Sequence, residues 1–127
     1  MPAYFIVDID VTDPTAFEEY RKAVPATVEK YGGKLLVRGG RMEVVEGSWR
    51  PKRVVLTEFP SLEQAKRWYD SEEYRALKAL RLRTATGSVI LVEGAYRSPG
   101  MSGFRDYEQY DAATENGNTR RSPPTRR

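Results

Sequence analysis

The sequence predicts an α+β domain with the element order β-α-β-β-α-β, and three observations carry that expectation. Residues 4–11, 34–38, 52–59 and 84–93 are β-branched or aromatic runs of strand length. Residues 14–30 and 62–81 between them show apolar spacings of three, four and seven, the period of a helix. Gly32-Gly33, the turn-rich 47–51 and Pro60 punctuate the chain where one element must give way to the next.

The first strand alternates Phe5, Val7, Ile9 and Val11 with Tyr4, Ile6, Asp8 and Asp10. Asp13 is placed to cap the first helix, and Pro14 occupies its first position, where a missing N–H is harmless. Phe17, Val24, Val28 and Tyr31 form the apolar stripe. Pro25 interrupts it, and its ring clashes with the Arg21 carbonyl, so a kink or break is expected there. Gly32-Gly33 ends the helix. Gly39-Gly40 predicts a bulge that divides one bent strand into limbs 34–38 and 42–46. Ser61-Leu62-Glu63-Gln64 reads as a capping box and Ser71 as a second cap, so the next helical stretch is expected in two pieces. The resulting order is the ferredoxin-like one.

On the third strand, Val54 and Leu56 share one face with Glu58, while Val55, Thr57 and Phe59 share the other. Both faces are largely apolar, so both need covering, one by helices and one by something else; a homodimer is the expectation.

The 127-residue chain carries a net charge of +3, with 39% hydrophobic and 31% charged residues, the balance of one ordinary globular domain. Cysteine and histidine are both absent, which excludes disulfides, thiolate chemistry, sulfur-bound metals, histidine bases and histidine-ligated haem. No signal peptide is recognisable and no apolar run approaches 18 residues, so a cytoplasmic, membrane-free protein is expected. The domain is expected to cover 1–94, followed by an extension, 95–127, made of a short aromatic arm at 104–110 and a disordered basic tail.

The stretches GGKLLVRGG (32–40), EVVEGSW (43–49) and LTEFPSLEQAKRWYDSEEYRALKALR (56–81) resemble the DUF1330 family, over about residues 3–94. That resemblance implies the dimeric α/β-barrel superfamily, in which two protomers press their sheets together into a barrel. Relatives at that level include cofactor-free antibiotic-biosynthesis monooxygenases, muconolactone-type isomerases and haem-binding chlorite dismutases. No activity of the family itself carries over.

Glu58 interrupts an apolar face, and a carboxylate there needs a cationic partner or an upward pKa shift. Arg38 and Arg81 are the candidate cations. The group is read either as a structural ion-pair network or as a site, with Glu58 the base and the arginines the charge stabilisers. Gly39 and Gly40 permit close backbone approach beside Arg38, as a bare bulge or as part of a ligand grip. Tyr20, Trp68, Tyr69 and Tyr74 are either packing residues or the wall of a small-molecule pocket. Two arginines beside one carboxylate would favour a small organic anion as ligand. No hydrolytic triad, carboxylate metal cluster or nucleotide-binding glycine loop is present, so neither a cofactor nor a metal is expected. A single RGG inside a strand pattern does not make a nucleic-acid motif. The residues leave three functional classes open: a cofactor-free isomerase or monooxygenase-like enzyme, a non-catalytic binding or sensing module, and a dimeric scaffold.

Overall fold

The computed structural model describes residues 1–95. Its elements are β1 (Ala3–Val11), α1 (Pro14–Lys30), β2 (Lys34–Arg38), β3 (Val54–Phe59), α2 (Leu62–Tyr69), α3 (Glu72–Thr84) and β4 (Ala85–Glu93). The strands form one antiparallel sheet in the order β2-β3-β1-β4. The β-α-β-β-α-β topology is therefore as expected. The barrel is not: β2 and β4 are the two edges of an open sheet. Apolar residues on both faces show that both faces are sticky, but closure needs strands to complete the circle, and the described residues supply four.

Local chemistry makes the helices where the sequence places them. The Asp13 carboxylate accepts from the Ala16 N–H at 3.2 Å, Ser61 Oγ from Gln64 at 3.0 Å and Ser71 Oγ from Tyr74 at 3.1 Å. Ser71 thereby starts α3 two residues after α2 ends. Pro25 does not break α1, which runs through it to Lys30. At the C-terminal end of α1, Lys30 and the Tyr31 hydroxyl both donate to Glu73 on α3. These two hydrogen bonds hold the Glu73 carboxyl down from the usual 4.5 to about 2.

Two departures concern the chain between β2 and β3. The second limb, 42–46, is not a strand, because the chain turns out of the sheet at Gly39, where φ is +76° and the Gly39 N–H bonds the Val54 carbonyl at 2.8 Å. Residues 40–53 instead form a strap without regular structure. Trp49 Nε1 and the Lys52 N–H tie it to the Asp8 carboxylate, at 2.9 and 3.3 Å. The bulge also lies elsewhere than expected, between Leu35 and Val37 rather than at the glycine pair.

The helices cover one face of the sheet. Phe5, Phe59, Trp68 and Tyr74 form the aromatic centre of the core, packed with Ala3, Val24, Val28 and Ala65. A smaller cluster of Ile9, Phe17 and Ala85 continues it toward the other end of β1. Gly33 lets this packing close, since a Cβ there would stand 2.6 Å from the Phe59 ring. No helix of the described residues is long and apolar enough to cross a membrane. The expected aromatic arm at 104–110 and the tail after it lie outside the described residues.

Candidate functional site

Between α1 and the helix-facing side of the sheet lies a cavity of about 50 Å³. Phe5, Val7 and Ile9 of β1, Val55 and Thr57 of β3, Val24 and Val28 of α1, and Trp68 make most of its wall apolar. Four arginines, Arg21, Arg38, Arg53 and Arg81, join them, and among the described residues no carboxylate does.

Each arginine arrives by a different route. Arg81, near the end of α3, is 7% exposed and donates through Nε to the Tyr74 hydroxyl at 3.2 Å. That hydroxyl lies 2.7 Å from the hydroxyl of Tyr20 on α1. Burial, and then the Tyr74 hydroxyl beside it, pushes the Tyr20 phenol upward. Tyr20 therefore stays protonated at neutral pH and is a donor, not a base.

Arg38 reaches the cavity because of the bulge. Strict alternation from Lys34, which pairs with Glu58, would put Arg38 on the face away from the helices. The register shift between Leu35 and Val37 pairs Arg38 with Val55 instead and turns it toward α1. There its Nη2 donates to the Arg21 carbonyl at 2.9 Å. This carbonyl is the one that the N–H of residue 25 would take in an unbroken helix, and Pro25 has no N–H. The proline that threatens α1 thus leaves an acceptor for Arg38.

Arg53 was not among the residues singled out from the sequence. Alternation could have found it, since it lies two residues before Val55 and shares the helix-facing side with Thr57 and Phe59. Its guanidinium stands 5.8 Å from the centre of the Phe17 ring. Among the described residues its Nε is buried without a hydrogen-bond acceptor. Gly39 makes room for it: a Cβ at that position would be 2.5 Å from Arg53 Nη1. Arg21, also not foreseen, follows Tyr20 on α1 and pairs with Glu18 at 2.5 Å.

The residues expected to act together are divided by the sheet. Arg38, Arg81, Tyr20, Trp68 and Tyr74 meet around the cavity. Glu58 does not line it. It shares the open face with Val54 and Leu56, as alternation requires, and accepts from the Tyr4 hydroxyl opposite at 3.2 Å. Tyr69 stacks on Phe5 with ring centres 5.5 Å apart and carries Lys78 Nζ on its ring at 4.0 Å, so it packs the core without lining the cavity. Gly39 serves Arg53, whereas a Cβ at Gly40 would meet nothing within 4 Å. Among the described residues no group of three acidic, histidine or cysteine side chains is placed to hold a metal ion.

Chemically the cavity is a set of donors, guanidinium and phenol, in an apolar wall. Such a set is suited to negative charge, which guanidinium and phenol donors stabilise.

Known structures share the fold. A protein of unknown function from Rhodopseudomonas palustris, RPA0582, superposes with a TM-score of 0.60 at 17% identity, covering 77% of this chain and 84% of its own. SnoaB, a cofactor-independent oxygenase from Streptomyces nogalater, superposes with a TM-score of 0.53 at 12% identity, covering 77% of this chain and 97% of its own. At these identities the likeness is one of fold. No curated protein matches the sequence. The model of one family does match it, over residues 2–95 and so over most of the chain. The chain belongs to that family, a domain of unknown function designated DUF1330.

Proposed function

We propose that this domain binds a small organic anion in the cavity between α1 and the sheet. The observation that carries the reading is Arg53: among the described residues its Nε is buried with no acceptor, in a cavity that holds three further arginines and no carboxylate. A buried charged donor left unsatisfied is costly, and a ligand oxygen would satisfy it. Arg53→Met keeps an aliphatic stem over Phe17 and removes the charge. It is expected to weaken binding of a small carboxylate by ~1–3 kcal/mol, the scale of a charge-assisted hydrogen bond, with the fold intact. Arg38→Ala should act in the same direction. Calorimetry and thermal shift with a panel of small carboxylates test this. If no carboxylate stabilises the wild type, the arginines are structural and the proposal is wrong.

Binding fits the cavity better than proton abstraction. Tyr20 stays protonated, and Glu58, the base expected from the sequence, faces the other side of the sheet. A cofactor-free oxygenase or isomerase remains compatible with the site for a substrate that arrives already ionised. The arginines would then hold its enolate oxygen.

The open face supports a reading of assembly as well. Ile90 (54% exposed) and Val92 (41%) on β4 and Val37 (37%) on β2 lie uncovered there, on the same side as Ile6, Val54 and Leu56. We propose that two copies associate through this face, burying roughly 1,200 Å² or more in total. Sedimentation equilibrium at micromolar concentration should then return twice the monomer mass. A charged substitution, Ile90→Glu, should return it to the monomer mass with the circular dichroism spectrum preserved. A wild type that sediments as a monomer rejects self-association.

A further inference from the structure

Resting on the anion reading, we infer that the ligand is a short dianion, with an acid group at each end of a body of a few carbons. One end would meet Arg81 inside the cavity, and the other Arg53 and Arg38 at its mouth.

The charge balance comes first. Arg21 is neutralised by Glu18. Among the described residues Arg38, Arg53 and Arg81 have no carboxylate in a salt bridge with them. Glu18 does feel the charge of Arg53, but its carboxylate is bonded to Arg21. Arg81 is buried and Arg53 half-buried, so a ligand with one negative charge would leave one of these two covered guanidiniums unmatched.

The placement of these cations separates the two ends. All three meet α1 along the short stretch Phe17, Tyr20 and Arg21. Arg53 lies over the Phe17 ring, Arg81 holds the Tyr20–Tyr74 hydroxyl pair through Tyr74, and Arg38 holds the Arg21 carbonyl. They also form a gradient of depth, with Arg81 buried, Arg53 half-buried and Arg38 exposed. A single doubly charged head, such as inorganic phosphate, would meet one end of that gradient. A two-ended acid meets both.

Size limits the body. A cavity of about 50 Å³ is roughly a third of the ~150 Å³ void that takes up benzene in an engineered protein core. An aromatic body would therefore overfill it, whereas one carboxylate and one or two methylene groups fit inside, with the second carboxylate at the mouth. Val24 and Val55 would lie against its methylene groups, and among the described residues the wall gives no side-chain acceptor for a hydroxylated, sugar-like body beyond the phenols and Thr57.

The experiment compares malonate and succinate with propionate and butyrate, and with inorganic phosphate, by calorimetry at fixed ionic strength on wild type and Arg53→Met. The expected result is that each dicarboxylate binds about ten-fold or more tighter than the monocarboxylate of equal length. Arg53→Met should weaken both ligands, and the dicarboxylate more, so that the difference between them is lost, because a single acid group can still meet Arg81. Equal affinity for acids of one and two charges would overturn the dianion inference and leave the anion reading standing. Phosphate binding tighter than either dicarboxylate would also overturn it. Failure of all five probes to bind would remove both readings together.

Discussion

Gly87→Ala is expected to destabilise the domain by about 3 kcal/mol or more, the upper end of what an inserted methyl costs where the structure cannot absorb it. Gly87 sits in β4 with φ at +148°, a conformation that side chains with a Cβ rarely adopt. It pairs with Ile9 of the central strand β1. A Cβ there would stand 2.1 Å from the Asp8 carbonyl oxygen and 2.8 Å from the Ile9 Cα. Both are backbone atoms of a strand held on its other side by β3, so no side chain can rotate away to relieve the overlap. Because β4 is an edge strand, relief has to come from peeling it off β1, and that breaks the ladder around Asp8–Ser88 and Asp10–Thr86. Urea denaturation measures the effect as a lower midpoint at unchanged slope. Gly40→Ala is the control, since its added methyl meets nothing and its midpoint should stay at the wild-type value. A Gly87→Ala midpoint equal to that control would mean that the β1–β4 ladder yields without cost.

Tyr74 separates two contributions that meet in one side chain. It is 1% exposed, packs against Trp68 with ring centres 4.1 Å apart and planes tilted by 33°, and its hydroxyl joins Tyr20 to Arg81. Tyr74→Ala removes a whole ring from the core and is expected to cost about 3–5 kcal/mol, a large part of the ~5–15 kcal/mol that keeps a domain folded. Tyr74→Phe keeps the packing but leaves Arg81 Nε and the Tyr20 hydroxyl facing a ring edge. It is expected to cost about 1–3 kcal/mol, the penalty for buried donors without an acceptor. Thermal and urea unfolding of both variants gives the two numbers. If Tyr74→Phe were as stable as wild type, the Tyr20–Tyr74–Arg81 chain would have no structural weight, and its hydroxyls would serve the ligand alone.

The elements most legible in the sequence are those made by groups within four residues of each other. Asp13, Ser61 and Ser71 cap helices through N–H groups three residues ahead, and they are recognisable before any fold is known. The α1 stripe is equally local, since Phe17, Val24 and Val28 are buried as their spacing requires. The element order is legible from the same local patterns, and Trp68, Tyr74 and Arg81 fall at helical spacing on the inner faces of α2 and α3.

The site itself required the tertiary structure. Which face a strand residue takes depends on register with a partner distant in sequence, and a one-residue slip reverses it. The bulge between Leu35 and Val37 makes that slip, sending Arg38 toward α1, while Glu58, with its own register intact, stays on the other face. The expected Arg38–Glu58 partnership fails for that reason. Pro25 reads locally as a helix breaker because the sequence shows the lost N–H. It cannot show that Arg38, from another element, takes up the Arg21 carbonyl. Arg53 depends on Gly39, fourteen residues earlier in the chain, for the space that its guanidinium fills. The barrel failed in the same way: two apolar faces are a property of composition and alternation, whereas closure is a property of how many strands meet and where the edges fall. The chain's own chemistry determined the helices, their caps and the apolar faces, because those interactions are short-range. The register between strands decided which charged groups share a cavity, because that choice is made by contacts that form only when the chain has folded.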